Sequence, residues 1–112
     1  MNVDLFDTMR MELRRGVLVL AVLVALRQEQ YGYSLRRRLL AADIDIEEGT
    51  LYPLIRRLEG QGLLTSEWRD DGEGGRKRRY YTISREGEAL LKSLTQEWES
   101  ISRSVGTLME GA

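Results

Sequence analysis

The last quarter of the chain constrains the fold most. Leu91, Leu94, Trp98, Ile101, Val105 and Leu108 recur at intervals of 3, 4, 3, 4 and 3. That is the two-position seam of a heptad, narrower than the stripe of a helix lying on a globular core. As one helix over 85–110 it makes a rod of about 39 Å. A chain of 112 residues is one domain by size and buries only about two-thirds of its unfolded surface. Such a rod projects past its own body and needs a second apolar surface. A second copy of the chain supplies it most simply, so these six residues are the expected dimerisation contacts of a homodimer.

What is absent removes classes of chemistry. With no Cys there is no disulfide, thiolate nucleophile or cysteine-ligated zinc. With no His the commonest general base and metal ligand is missing. No carboxylate pair sits at a catalytic spacing, so the sequence predicts no enzyme, no metal site and no cofactor. The longest apolar run, Gly16 to Leu26, is 11 residues, against about 20 for a membrane span. The opening Met-Asn-Val-Asp-Leu-Phe-Asp lacks the basic start of a signal peptide. A cytoplasmic protein without membrane contact is expected.

The period of the apolar residues then divides the chain. A first helix is predicted from about Thr8 to Glu29, broken at Gln30-Tyr31-Gly32, and a second from about Tyr33 to Ala42 with Leu35 and Leu39 inward. Asp43 to Ile46 reads as a turn. Leu51, Leu54, Ile55 and Leu58 are the core stripe of a third helix. Pro53 is tolerated in a first turn, which puts the start near Glu48 to Thr50, and Gly60 and Gly62 mark the end. From Leu64 the period becomes alternating. Leu64, Ser66 and Trp68 share one strand face, with Trp68 expected in the core, and Tyr81 and Ile83 lie on the inner face of a partner strand. Asp70 to Gly75 forms the hairpin tip. Ser84 is the expected N-cap of the last helix, with Glu86 and Glu88 at its positive end. The predicted fold is mainly α with a small β-hairpin wing: a winged helix-turn-helix over 1–84 and a long C-terminal dimerisation helix over 85–112.

In that design the third helix enters the major groove of DNA and the hairpin grips the flanking backbone. The formal net charge is -1, but residues 31–85 hold eleven Lys and Arg against nine Asp and Glu, and local field steers a phosphate backbone. With the stripe inward, Thr50, Tyr52, Pro53, Arg56 and Arg57 face out. Arg56 has the fork that reads guanine or clamps phosphate. Thr50 and Tyr52 offer hydroxyls, and Pro53 an apolar edge for a thymine methyl. Tyr33 and Ser34 open the second helix, where backbone donors can meet a phosphate. Arg76, Lys77, Arg78 and Arg79 follow the hairpin tip, and pleating lets about two of the four reach DNA at once. The plainer readings are a solvated face for Arg56 and Arg57 and a solubilising turn for the basic run.

These residues also carry a family resemblance. Gly32-Tyr33-Ser34-Leu35, the block Gly49-Thr50-Leu51-Tyr52-Pro53-Leu54-Ile55-Arg56-Arg57-Leu58-Glu59-Gly60-Gln61-Gly62-Leu63-Leu64, then Trp68, Arg76–Arg79, Tyr80-Tyr81-Thr82-Ile83-Ser84 and Gly87 resemble the signature of PadR-family transcriptional regulators. Chain length resembles the short subfamily with a single C-terminal helix. The resemblance implies a dimer that binds double-stranded DNA through the third helix and wing, commonly as a repressor.

Three readings stay open. Glu47 and Glu48, with Asp43 and Asp45 nearby, either complement the helix N-terminus or repel phosphates and accept from cytosine. Trp98 either only packs or, as the resemblance to multidrug-sensing members implies, stacks a planar aromatic effector at the dimer centre with Leu13 and Val17 as walls. The leading function is a regulator on an inverted-repeat operator, released by such an effector. The alternative is a winged-helix protein-interaction module without sequence-specific DNA binding.

Overall fold

Each change of period becomes a change of element. The computed structural model describes residues 3–70 and 75–111. Its order is α1 (Val3–Ala25), β1 (Gln30–Tyr31), α2 (Gly32–Ala41), α3 (Glu48–Gly60), β2 (Leu64–Asp70), β3 (Lys77–Ile83) and α4 (Arg85–Gly111). The fold is mainly helical with a small antiparallel sheet in the order β1-β3-β2.

α1 begins before Thr8 and stops before the expected Glu29. Its C-terminal end is committed elsewhere: the Leu26 carbonyl accepts the Ile83 N–H at 2.8 Å and the Thr82 hydroxyl at 3.2 Å. That bond brings the next residues alongside β3, where Gln30 pairs with Tyr81 and Tyr31 with Tyr80. The predicted break is therefore a third strand.

The core gathers the inward stripes. Leu23 and Leu26 of the α1 end meet Leu35 and Leu39 of α2, the Leu51, Leu54, Ile55 and Leu58 stripe of α3, and Leu64. Asp43 turns the chain between α2 and α3 at φ 63°, and its carbonyl accepts Arg14 Nη2 at 3.2 Å. α3 starts at Glu48, inside the expected range, so Pro53 is its sixth residue, just past the first turn. The bond Pro53 cannot make would go to the carbonyl of Gly49, an exposed residue that water can serve.

The hairpin pairs in register from Leu64 with Ile83 to Asp70 with Lys77. Its base packs on the core, but a strand advances about 3.3 Å per residue, so four residues beyond Leu64 it has left the body. Trp68, expected in the core, is 62% exposed. The tip residues Asp71 to Gly74 lie outside the described residues.

α4 is anchored as its sequence predicts. The Ser84 hydroxyl oxygen accepts the Gly87 N–H at 2.9 Å and donates to the Gly62 carbonyl at 2.6 Å. A Cβ on residue 87 would stand 2.2 Å from the Leu63 carbonyl oxygen, so only glycine lets the helix approach the backbone just before β2 this closely. One seam residue is reassigned by this docking. Leu91 is fully buried in the chain's own core and offers nothing to a partner, while Leu94 packs against that core from its edge. The exposed seam starts at Trp98 and continues through Ile101, Val105 and Leu108. Val3, Leu5, Met9 and Leu13 of α1 are exposed too. The radius of gyration is 16.5 Å, against about 13 Å for a compact chain of this length.

Candidate nucleic-acid interface

The outward face of α3 and the inner face of the wing meet beside the start of α2. Between them lies a cleft of about 330 Å³. It gathers Tyr33, Tyr52, Arg56, Lys77, Arg78 and Arg79 from the sequence candidates and adds Tyr31 and Trp68. Thr50, Pro53, Arg57 and Arg76 are exposed outside it. Thr50 instead borders a second cleft, of about 400 Å³, with Arg10, Arg14 and Asp45.

The candidates are not equally available. Among the described residues, the side chains of Arg56, Arg57, Arg76 and Lys77 make neither a hydrogen bond nor an ion pair and are exposed. Tyr33 is 52% exposed, with the Arg37 guanidinium 5.8 Å from its ring centre. The Ser34 hydroxyl is already engaged locally: it accepts the Tyr31 N–H at 3.1 Å and donates to the Tyr31 carbonyl at 2.9 Å. Tyr52 is half-buried against Gly32. Burial raises its hydroxyl pKa, the Glu48 charge adds to this and Arg36 partly offsets it, so the phenol stays a neutral donor at physiological pH.

Pleating splits the basic run. Arg78 lies over the Tyr31 ring at 4.4 Å, and Tyr31 meets Tyr80 edge-on at 5.6 Å. Arg79, on the opposite face, is held by protein groups. Its Nη2 donates to Glu59 at 2.9 Å and its Nε to the Ser66 hydroxyl oxygen at 2.9 Å. Lys77 shares the face of Arg79 but lies nearer the tip, opposite Asp70 of β2, with which its side chain forms no ion pair. Arg69, which the sequence reading passed over, bridges Glu29 and Glu67 and sits 4.8 Å from the Tyr80 ring centre. The hydrogen bonds it donates to these two carboxylates, that to Glu29 first, raise its pKa further.

Of the acids before α3, Glu48 falls in the first helical turn, 3.9 Å from Arg36. Glu47 precedes it and makes no side-chain cap. Neither of these two clefts includes Trp98, Leu13 or Val17. No helix among the described residues is long and apolar enough to cross a membrane.

Comparison with known proteins agrees with this arrangement. Residues 19–93, from late α1 into α4, match the Transcriptional regulator PadR-like family. The crystal structure of a PadR family transcriptional regulator from Eggerthella lenta superposes with a TM-score of 0.89 at 45% identity, over 97% of this chain and 96% of that one. Transcriptional regulator Rv3488 of Mycobacterium tuberculosis is 38% identical over 77 residues, 69% of this chain and 70% of the relative. An uncharacterized protein of Lysinibacillus sphaericus is 32% identical over 91% of this chain and 96% of its own length. The family regulates transcription rather than catalysing a reaction. Its fold, the residue 19–93 match and these relatives agree, and the chain belongs to the PadR-like family of transcriptional regulators.

Proposed function

We propose that this regulator is a homodimeric repressor that reads an inverted-repeat operator through α3 and the wing. One observation carries the reading: Arg56, Arg57, Arg76 and Lys77 are exposed and have no protein partner among the described residues. Cations left unpaired along one helix and its adjoining hairpin suit phosphate and guanine contacts. Tyr33 and Tyr52 line the cleft with Arg56 and Lys77, and Thr50 and Pro53 are exposed on α3 outside it. Ser34 contributes through its backbone, since its hydroxyl is engaged, and Arg78 contributes from the edge of the cleft.

Dimerisation supports the symmetry of the site. Trp98, Ile101, Val105 and Leu108 form an apolar stripe along α4 that the chain's own body does not cover. A two-fold dimer sets two α3 helices about one turn of B-DNA apart, about 34 Å. Residues 1–84 then act as the DNA-binding unit and α4 as the coupling rod. Trp98, with Leu13 and Val17 as walls, is the proposed place where a planar aromatic effector stacks and releases DNA. That pocket needs both copies.

Selection of bound duplexes from random DNA tests the reading. Enrichment of an inverted repeat with half-sites about one turn apart is expected, and run-off transcription through that site should fall on adding protein. A pool that stays random, with no duplex retained at low salt, contradicts it and returns the fold to protein interaction.

A further inference from the structure

We infer that Glu59 is a positioning residue for DNA recognition: with Ser66 and Arg79 it clamps the wing to α3, so an acid beside a DNA-binding face strengthens binding. The inference rests on the reading of α3 and the wing as the DNA-contacting elements.

The three residues come from three elements and close a triangle. Glu59 lies one residue before the end of α3, Ser66 on β2 and Arg79 on β3. The Ser66 hydroxyl donates to Glu59 Oε2, and Arg79 Nη2 donates to Glu59 Oε1 at 2.9 Å. Arg79 Nε donates to Ser66 Oγ at 2.9 Å. Both carboxylate oxygens are thereby used. The guanidinium also lies beside two rings of its own sheet face, 5.7 Å from the Trp68 centre and 5.6 Å from the Tyr81 centre. Planar stacking and a two-nitrogen fork are properties of Arg that Lys does not share.

Position gives the triangle its consequence. Arg56 lies three residues before Glu59, on the same side of α3. Lys77 lies two residues from Arg79, on the same face of β3 and nearer the tip. The clamp therefore stands between two unpartnered cations on separate elements and fixes their spacing. A hairpin held before binding loses less freedom when it binds. A simple charge argument gives the opposite sign for Glu59, because a carboxylate near a phosphate backbone repels it.

The test uses the full-length protein on its selected operator, with dissociation constants measured across a salt series. The free protein is followed by amide hydrogen exchange. Glu59→Gln replaces one acceptor by a donor and should weaken binding roughly tenfold, about the worth of one charged hydrogen bond. The slope of log K against log salt should not change. Exchange in β2 and β3 should quicken without DNA. Arg79→Gln should match this loss, again with an unchanged slope, and the double variant should be no worse than either single. Ser66→Ala, on a half-exposed strand position, should move binding and exchange in the same direction and serves if Glu59→Gln folds poorly. Unchanged or tighter binding by Glu59→Gln, or a slope reduced by about one in Arg79→Gln, overturns the clamp while leaving the DNA reading intact. If the unaltered protein retains no DNA, the DNA reading fails first and this role falls with it.

Discussion

Gly32 lies directly under the ring of Tyr52: a Cβ on residue 32 would stand 2.8 Å from the Tyr52 Cε1 atom. The contact joins the first residue of α2 to the outward face of α3 and sets where the Tyr52 hydroxyl sits. Gly32→Ala must push the ring aside. Because the far end of a side chain can move, the expected stability loss is modest, about 1 kcal/mol, while operator binding weakens. Thermal unfolding and titration with operator check the two effects. In Gly32→Ala/Tyr52→Ala the stability losses should fall short of their sum, since the clash is gone.

The split seam makes a second prediction. Ile101→Glu places a charge on the exposed stripe and should give a folded monomer by light scattering, with an unchanged far-ultraviolet spectrum. Leu91→Ala acts within one chain, leaving a cavity that costs about 2–5 kcal/mol, and should lower the denaturant midpoint. A persistent dimer in Ile101→Glu would move the interface off this face of α4.

This split shows where sequence reading stops. Periodicity found the stripe from Leu91 to Leu108, but a repeat does not say where the chain's own body ends, and that boundary falls between Leu91 and Trp98. Trp68 fails for a related reason: alternation assigned it the face of Leu64, and that face runs off the core as the hairpin projects. β1 was unreadable because two residues carry no period of their own, and their pairing with Tyr80 and Tyr81 arises from a fold some fifty residues long. In the basic run, four like charges read alike until the pleat sets Arg78 apart from Arg79 and Glu59, twenty residues upstream, sets Arg79 apart from Lys77. The α2 and α3 stripes, the Ser84 cap and the extent of α4 were local patterns, and they were legible.

The exposure of Trp68 changes how an effector must be sought. Two tryptophans respond to ligand, so Trp68→Phe isolates Trp98 as reporter. A planar aromatic cation such as ethidium, titrated without DNA, should then quench the remaining fluorescence saturably in the dimer and not in Ile101→Glu. Equal quenching in both proteins would mean that no pocket at the dimer centre is involved.

The central claim is that unpaired cations of α3 and the wing bind duplex DNA, and the salt slope of operator binding tests it most directly. Each phosphate contact contributes about 0.9 to the slope of log K against log salt. Arg57→Gln/Lys77→Gln should lower that slope by about one to two and weaken binding at low salt, leaving thermal stability within about 0.5 kcal/mol. An unchanged slope with unchanged affinity would contradict the account.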